Sequence, residues 1–223
     1  MGIFIGGINI NNVGDVCRYI GSKDNNGNSK IDKKTEYESY HRLEEIFPGI
    51  DSDRDNIISI SEELSALKSL IKVSEKDIEI ASNIDRLDPK FEKDPALRLK
   101  AARDLESLTE KMTGTEISAI DSSLDPSYEP DIRVRDRIIH VIIGLGSNSK
   151  LAISETLETL RIALALNSQY PEIQQAVIDG AYVLGISTDK KNEVISFLQK
   201  ALESEKIQEP VKENAIKVIK SLQ

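Results

Sequence analysis

Four segments of this chain repeat one apolar pattern at a nearly fixed interval, and that recurrence limits the fold more than any other feature. The segments open at Asp94, Asp131, Tyr170 and Gln208, spacings of 37, 39 and 38 residues. Three residues on, each carries an apolar side chain: Leu97, Val134, Ile173 and Val211. The next columns hold Ala101, Ile138, Val177 and Ala215, then Ala102, Ile139, Ile178 and Ile216. The last two hold Leu105, Ile142, Ala181 and Ile219, then Leu108, Leu145, Leu184 and Leu222. Offsets of 0, 4, 5, 8 and 11 residues fall on one side of a helix, so each segment should bury one face. Further helical stretches lie near 75–87, 116–124, 151–166 and 192–202. The unit is thus a helix pair of about 38 residues. Such a pair hides its apolar face by stacking on its neighbours. An irregular helical bundle is the alternative, but bundles lack a fixed period.

The run Asp131-Ile-Arg-Val134-Arg135, with Leu145 further on, resembles the second helix of a HEAT repeat, Asp-x-x-Val-Arg followed by spaced apolar residues. The resemblance implies an all-α chain whose residues 73–223 form a HEAT-like α-solenoid of about four helix pairs. A solenoid of that kind offers an extended surface to a protein partner.

Residues 1–72 have another character. Asp51-Ser-Asp53-Arg-Asp55-Asn56-Ile57-Ile58-Ser59-Ile-Ser-Glu62 puts side-chain oxygens at positions 1, 3, 5, 9 and 12 of a twelve-residue stretch, with an apolar residue at position 8. Three alternating carboxylates repel one another unless a cation lies between them. Calcium, a hard ion, takes about six to eight oxygens in a flexible shell. The stretch resembles the calcium loop of the EF-hand family. That resemblance implies Asp51, Asp53 and Asp55 as monodentate ligands and Ile57 as a carbonyl ligand. Ser59 would bind directly or through water, and Glu62 would close the shell with both oxygens. Asn56 stands where the family has its turn glycine, and Asn is among the residues that tolerate a left-handed backbone. Phe47 before the loop and Leu64, Leu67 and Ile71 after it suit flanking amphipathic helices. The alternative is an acidic turn that caps the following helix, with Ser59 or Ser61 as N-cap.

Upstream, Asp24-Asn-Asn26-Gly-Asn28-Ser-Lys30-Ile31-Asp32 fits positions 1, 3, 5, 7, 8 and 9 of the same pattern, with Lys30 at the carbonyl position. Position 12 is Thr35, and Glu36 comes one place late. Either this loop carries a one-residue insertion and closes with Glu36, or it lacks a strong closing ligand. Its lower charge predicts weaker calcium binding. An Asn/Gly-rich turn between helices is the alternative. The loops start 27 residues apart, a spacing similar to dockerin modules, where each calcium loop is followed by one helix. Glu36–Phe47 should be that helix, with Tyr37, Tyr40, Leu43, Ile46 and Phe47 along one stripe and Pro48 and Gly49 ending it. The spacing leaves open whether Ile31 and Ile58 pair across the two loops.

Composition removes several function classes. The net charge of −9 argues against sequence-independent nucleic-acid binding, which needs cations to displace counterions from phosphates. No segment approaches the ~20 apolar residues of a membrane span. Cys17 is the single cysteine, so no internal disulfide forms. Beside Val13, Val16 and Ile20 it reads as a buried thiol. Met1–Ile10 lacks the basic start and full apolar core of a secretory signal and reads as a short strand or plug. The compartment is cytoplasmic if Met1 is the native start and exported if a signal has been removed. The two histidines, His41 and His140, do not precede Glu, so the paired His–Glu ligands of hydroxylases built on HEAT repeats are missing. No Ser/His/Asp set, Cys/His pair or phosphate-binding glycine loop stands out, and His140 falls in a solvent-facing column with Arg103, Asp179 and Lys217. The sequence therefore points to a calcium-binding interaction protein rather than an enzyme. The alternative is an enzyme-accessory or small-ligand protein with purely structural calcium.

Overall fold

The computed structural model describes residues 3–5, 8–10, 16, 19–20, 23, 30–34, 36–67, 74–204 and 206–223. The protein is mostly helical, with a few short strands. It divides into two compact units, residues 1–101 with 111–122, and residues 102–110 with 123–223.

In the first unit, β1 (Ile3–Ile5) and β2 (Ile8–Ile10) form an antiparallel pair with Ile3 opposite Ile10. Val16, Tyr19 and Ile20 are helical and buried; Cys17 and Val13 lie outside the described residues. A second small sheet joins β3 (Ile31–Asp32) to β4 (Ile57–Ile58). Between them runs α1 (Tyr37–Ile46), where the Tyr/Leu stripe called for a helix. Tyr40 and Leu43 are buried, but Tyr37 is exposed and packs its ring on His41 instead. The helix stops as Phe47 N–H returns to the Leu43 carbonyl and Gly49 takes φ +81°, a backbone that side chains rarely adopt.

Helices α2 (Ile60–Leu67) and α3 (Glu75–Leu87) pack against each other around Ile60, Leu64, Ile80 and Ile84. A reciprocal cap starts α3, with Ser74 Oγ accepting from Asp77 N–H and Asp77 accepting from Ser74 N–H. α4 (Pro95–Leu108) begins in this unit, and α5 (Ile117–Ile120) packs on α3. The sequence suggested one helix over 116–124, but only a single α-helical turn forms, followed by a 3₁₀ turn at Asp121–Leu124. The Asp-Ser-Ser run competes for its own backbone there, and Pro126 bars continuation.

The second unit is a two-layered, repeat-like array. One layer holds α6 (Ile132–Ser147), α8 (Pro171–Ser187) and α10 (Glu209–Leu222), with α8 packed between the other two. The other holds α7 (Ile153–Leu166) and α9 (Lys191–Leu202), which touch each other and the helices beneath them. The apolar columns from Ala102 onward form its core, and of their members only Ile216, in the last segment, is exposed, at 44%. In the first unit Ala101 is buried and Leu97 is 45% exposed. His140 is half-exposed between Glu106 and Asp136, matching a solvent-facing column.

A polar column one residue beyond the first apolar one was not evident from the sequence. Arg98, Arg135 and Gln174 are all buried, and each donates to a carbonyl six residues earlier. The bonds run to Glu92 O at 2.9 Å, Glu129 O at 2.6 Å and Ser168 O at 3.2 Å. Each side chain therefore folds the entering loop back onto its own helix, and Arg135 satisfies a fully buried carbonyl. Gln174 also binds the carbonyl of Lys206 at 2.8 Å and the N–H of Gln208 at 3.1 Å, holding the loop of the next pair. Lys212, in the fourth segment, binds Glu209 instead.

Close approach of α6 to α8 depends on a missing side chain. A Cβ on Gly180 would overlap the side chain of Ile143. Gly180→Leu should therefore lower stability by about 1–3 kcal/mol through overpacking, read as a reduced urea midpoint. An unchanged midpoint would mean that the two helices separate freely at this contact.

Candidate metal centre

The loop Asp51–Glu62 lies between the end of α1 and the start of α2, and its own side chains wind it. Asp51 Oδ2 accepts from Asn56 N–H at 3.1 Å, Asp53 Oδ1 from Asp55 N–H at 3.1 Å, and Asp55 Oδ1 from Ile57 N–H at 2.7 Å. Short carboxylates bonding forward to the backbone are the local reason for the coil. Arg54 and Asn56 take φ of +61° and +68°, so the left-handed backbone that Asn tolerates is present at Asn56.

Beyond the turn, β4 leaves the loop in the antiparallel pair with β3. Ile31 stands opposite Ile58, both fully buried, and Lys33 N–H reaches the Asn56 carbonyl at 2.9 Å. The two position-eight residues of the sequence pattern thus face each other. Ile57, the expected carbonyl ligand, lies in this strand.

Carboxylate oxygens of Asp51, Asp53 and Asp55 lie within 4.8 Å of one another, the one such acidic or His/Cys group among the described residues. Asp53 and Asp55 are exposed, whereas Asp51 is only 8% exposed. Its Oδ2 takes the Tyr40 hydroxyl as well as Asn56 N–H, but its buried Oδ1 has no hydrogen-bond partner. A buried carboxylate oxygen without a donor is costly, and a cation between three carboxylates would remove that cost. Desolvation raises the Asp55 pKa, and the charges of Asp53, Asp51 and Glu62 add to it against the Ile57 N–H bond. Burial and the Asp51 bond raise that of Tyr40.

Glu62 is placed differently from the three aspartates. Its Oε1 accepts from Ser52 N–H and Oγ at 2.7 and 2.9 Å, and its Oε2 from Ser59 N–H and Oγ at 3.1 and 3.0 Å. With Glu62 N–H pointing to Ser59 Oγ at 3.3 Å, Ser59 and Glu62 form a reciprocal helix cap. The acidic coil and the helix cap, alternatives in the sequence, coexist in this one stretch.

Of the upstream loop, Asp24, Asn26 and Asn28 lie outside the described residues. Asp32 sits in β3 and Glu36 is buried just before α1. Lys30 sends its side chain inward, with its ammonium on Asp88 Oδ2 at 3.1 Å and on the Asp85 carbonyl at 3.3 Å, over the Phe91 ring. Three residues were missed by sequence reasoning. Tyr40 read as one member of an apolar stripe, and Asp85 and Glu63 were assigned no role. No spacing rule marks a partner that arrives from another helix.

Glu63 is fully buried, neither carboxylate oxygen has a hydrogen-bond partner, and burial pushes its pKa up to about 8. No family model, curated protein or solved structure matches this chain.

The folded chain keeps a proton on Glu63 that the unfolded chain releases, from the ordinary 4.5 up to about 8. Stability should therefore fall as pH rises through that window, by a few kcal/mol at most. Urea melts with chelator at pH 5.5 and 8.5 should show a larger loss for the parent chain than for Glu63→Gln. Equal losses would clear Glu63 of the pH dependence.

Proposed function

We propose that this protein binds calcium in an EF-hand-like loop and uses HEAT-like repeats as a surface for a protein partner. The observation that carries the first half is the cluster of Asp51, Asp53 and Asp55 carboxylates, in which Asp51 keeps a buried oxygen without a hydrogen-bond partner. Opposed Ile31 and Ile58 and the left-handed Asn56 support the same reading. Asp51, Asp53, Asp55 and the Ile57 carbonyl would hold the ion, which supplies charge neutralisation to three crowded carboxylates, and Ser59 and Glu62 would join them once the Glu62 carboxylate exchanges its bonds to Ser52 and Ser59 for the ion. Asp24, Asn26, Asn28, the Lys30 carbonyl, Asp32 and Glu36 would form the weaker second site.

Calcium here acts as a staple that orders residues 1–72. Leu64 of the exiting helix is already buried in the α2–α3 layer, and Met112 is buried too, so it offers nothing to a calmodulin-like groove. The second half rests on the repeat-like array and on the exposed Tyr182, Val183 and Ile186 along α8. Apolar side chains exposed close together on one helix are a common feature of interaction surfaces.

Calorimetric titration of calcium into the chelator-treated chain should give saturable binding. Asp51→Ala and Glu62→Gln should each weaken the tighter site by about tenfold or more. Unchanged affinity in both variants would remove this loop from calcium binding.

A further inference from the structure

We infer that a cavity in the second unit binds a small amphiphilic carboxylate, an anion with an apolar body. The inference is independent of the calcium reading. The cavity, about 330 Å³, opens between α7 and α9. Its apolar lining comes from Leu164, Phe197, Ala201 and Ile207, all buried. Its charged lining among the described residues is Arg161, Lys200 and Lys206, without a carboxylate, in a chain that has 38 acidic residues against 29 basic ones.

Arg161 is committed to Glu158 through bonds of 2.8 and 2.5 Å. Lys200 and Lys206 therefore supply the free positive charge, since no carboxylate pairs with either ammonium among the described residues. The backbone at the rim is fixed, because the Lys206 carbonyl is held by Gln174.

The two halves of the lining select one ligand chemistry. A small hydrated anion such as phosphate would lose water to the apolar wall without recompense. A neutral apolar molecule would leave the ammonium groups unused. A carboxylate with a hydrocarbon or aromatic body satisfies both, and a cavity at the small end of ligand sites limits that body to roughly ten carbons.

Octanoate titrated into the full ¹⁵N-labelled chain, followed by amide chemical shifts, tests this. Saturable shifts confined to residues of α7 and α9 and to Ser204, Lys206 and Ile207 are expected, with a dissociation constant on the order of 100 µM to 1 mM. 1-Octanol should bind about tenfold more weakly, and Lys200→Glu/Lys206→Glu should weaken octanoate by a similar factor. These surface substitutions leave the apolar wall intact, and an unchanged melting temperature would confirm that the variant is folded. Equal affinity for octanoate and 1-octanol, displacement of octanoate by equimolar phosphate, or no localised shifts would each overturn the assignment.

Discussion

Asp85, near the end of Glu75–Leu87, accepts the N–H groups of Ile60 and Ser61 at 3.1 and 2.9 Å, while its own carbonyl takes the Lys30 ammonium. Those N–H groups belong to the first turn of Ile60–Leu67, where no intrahelical acceptor exists. A cap donated by another helix fixes where α2 begins, and with it Ser59, Glu62 and the strand that leaves the acidic loop. Burial raises the Asp85 pKa, and Lys30, Ser61 and the Ile60 N–H pull it back. Lys30 is itself paired with Asp88, so the contact links β3, α2 and α3 through charges that water barely reaches. Removing either charge would leave the other buried alone, which costs far more than a surface pair contributes.

In the second unit the comparable constraint is the pair Arg135 and Gln174; Arg98 makes the same six-back contact within the first unit. Apolar columns supply the stacking free energy but say little about how one pair meets the next. Side chains that reach six residues back to a carbonyl set the angle at which each loop enters its helix. Gln174 goes further and clamps the following loop. Gly180 and Gly185 then let the helices of one layer approach closely, and Gly146 gives Thr156 of α7 room against α6.

Much of this was legible in the chain. The helices at 75–87, 151–166 and 192–202 fall within two residues of where periodicity put them, since an amphipathic stripe names both the element and its buried face. The left-handed turn at Asn56 followed from the ligand spacing. The reading faltered where local preference was weak, as at the Asp-Ser-Ser run after Ile120, and at Tyr37, whose place on the stripe did not secure a neighbour to bury it. Within the loop, spacing pointed to Glu62 as a closing ligand, whereas its carboxylate lies on Ser52 and Ser59.

By itself the sequence determined the helical period, the repeat interval and the clustering of Asp51, Asp53 and Asp55, because each is set by residues close together along the chain. Only the tertiary structure decided that Ile31 faces Ile58, that Asp85 caps a helix 25 residues away, and that Glu63 is enclosed without a partner. Those outcomes depend on which surfaces meet, and burial then converts an ordinary carboxylate into a cap or an orphan.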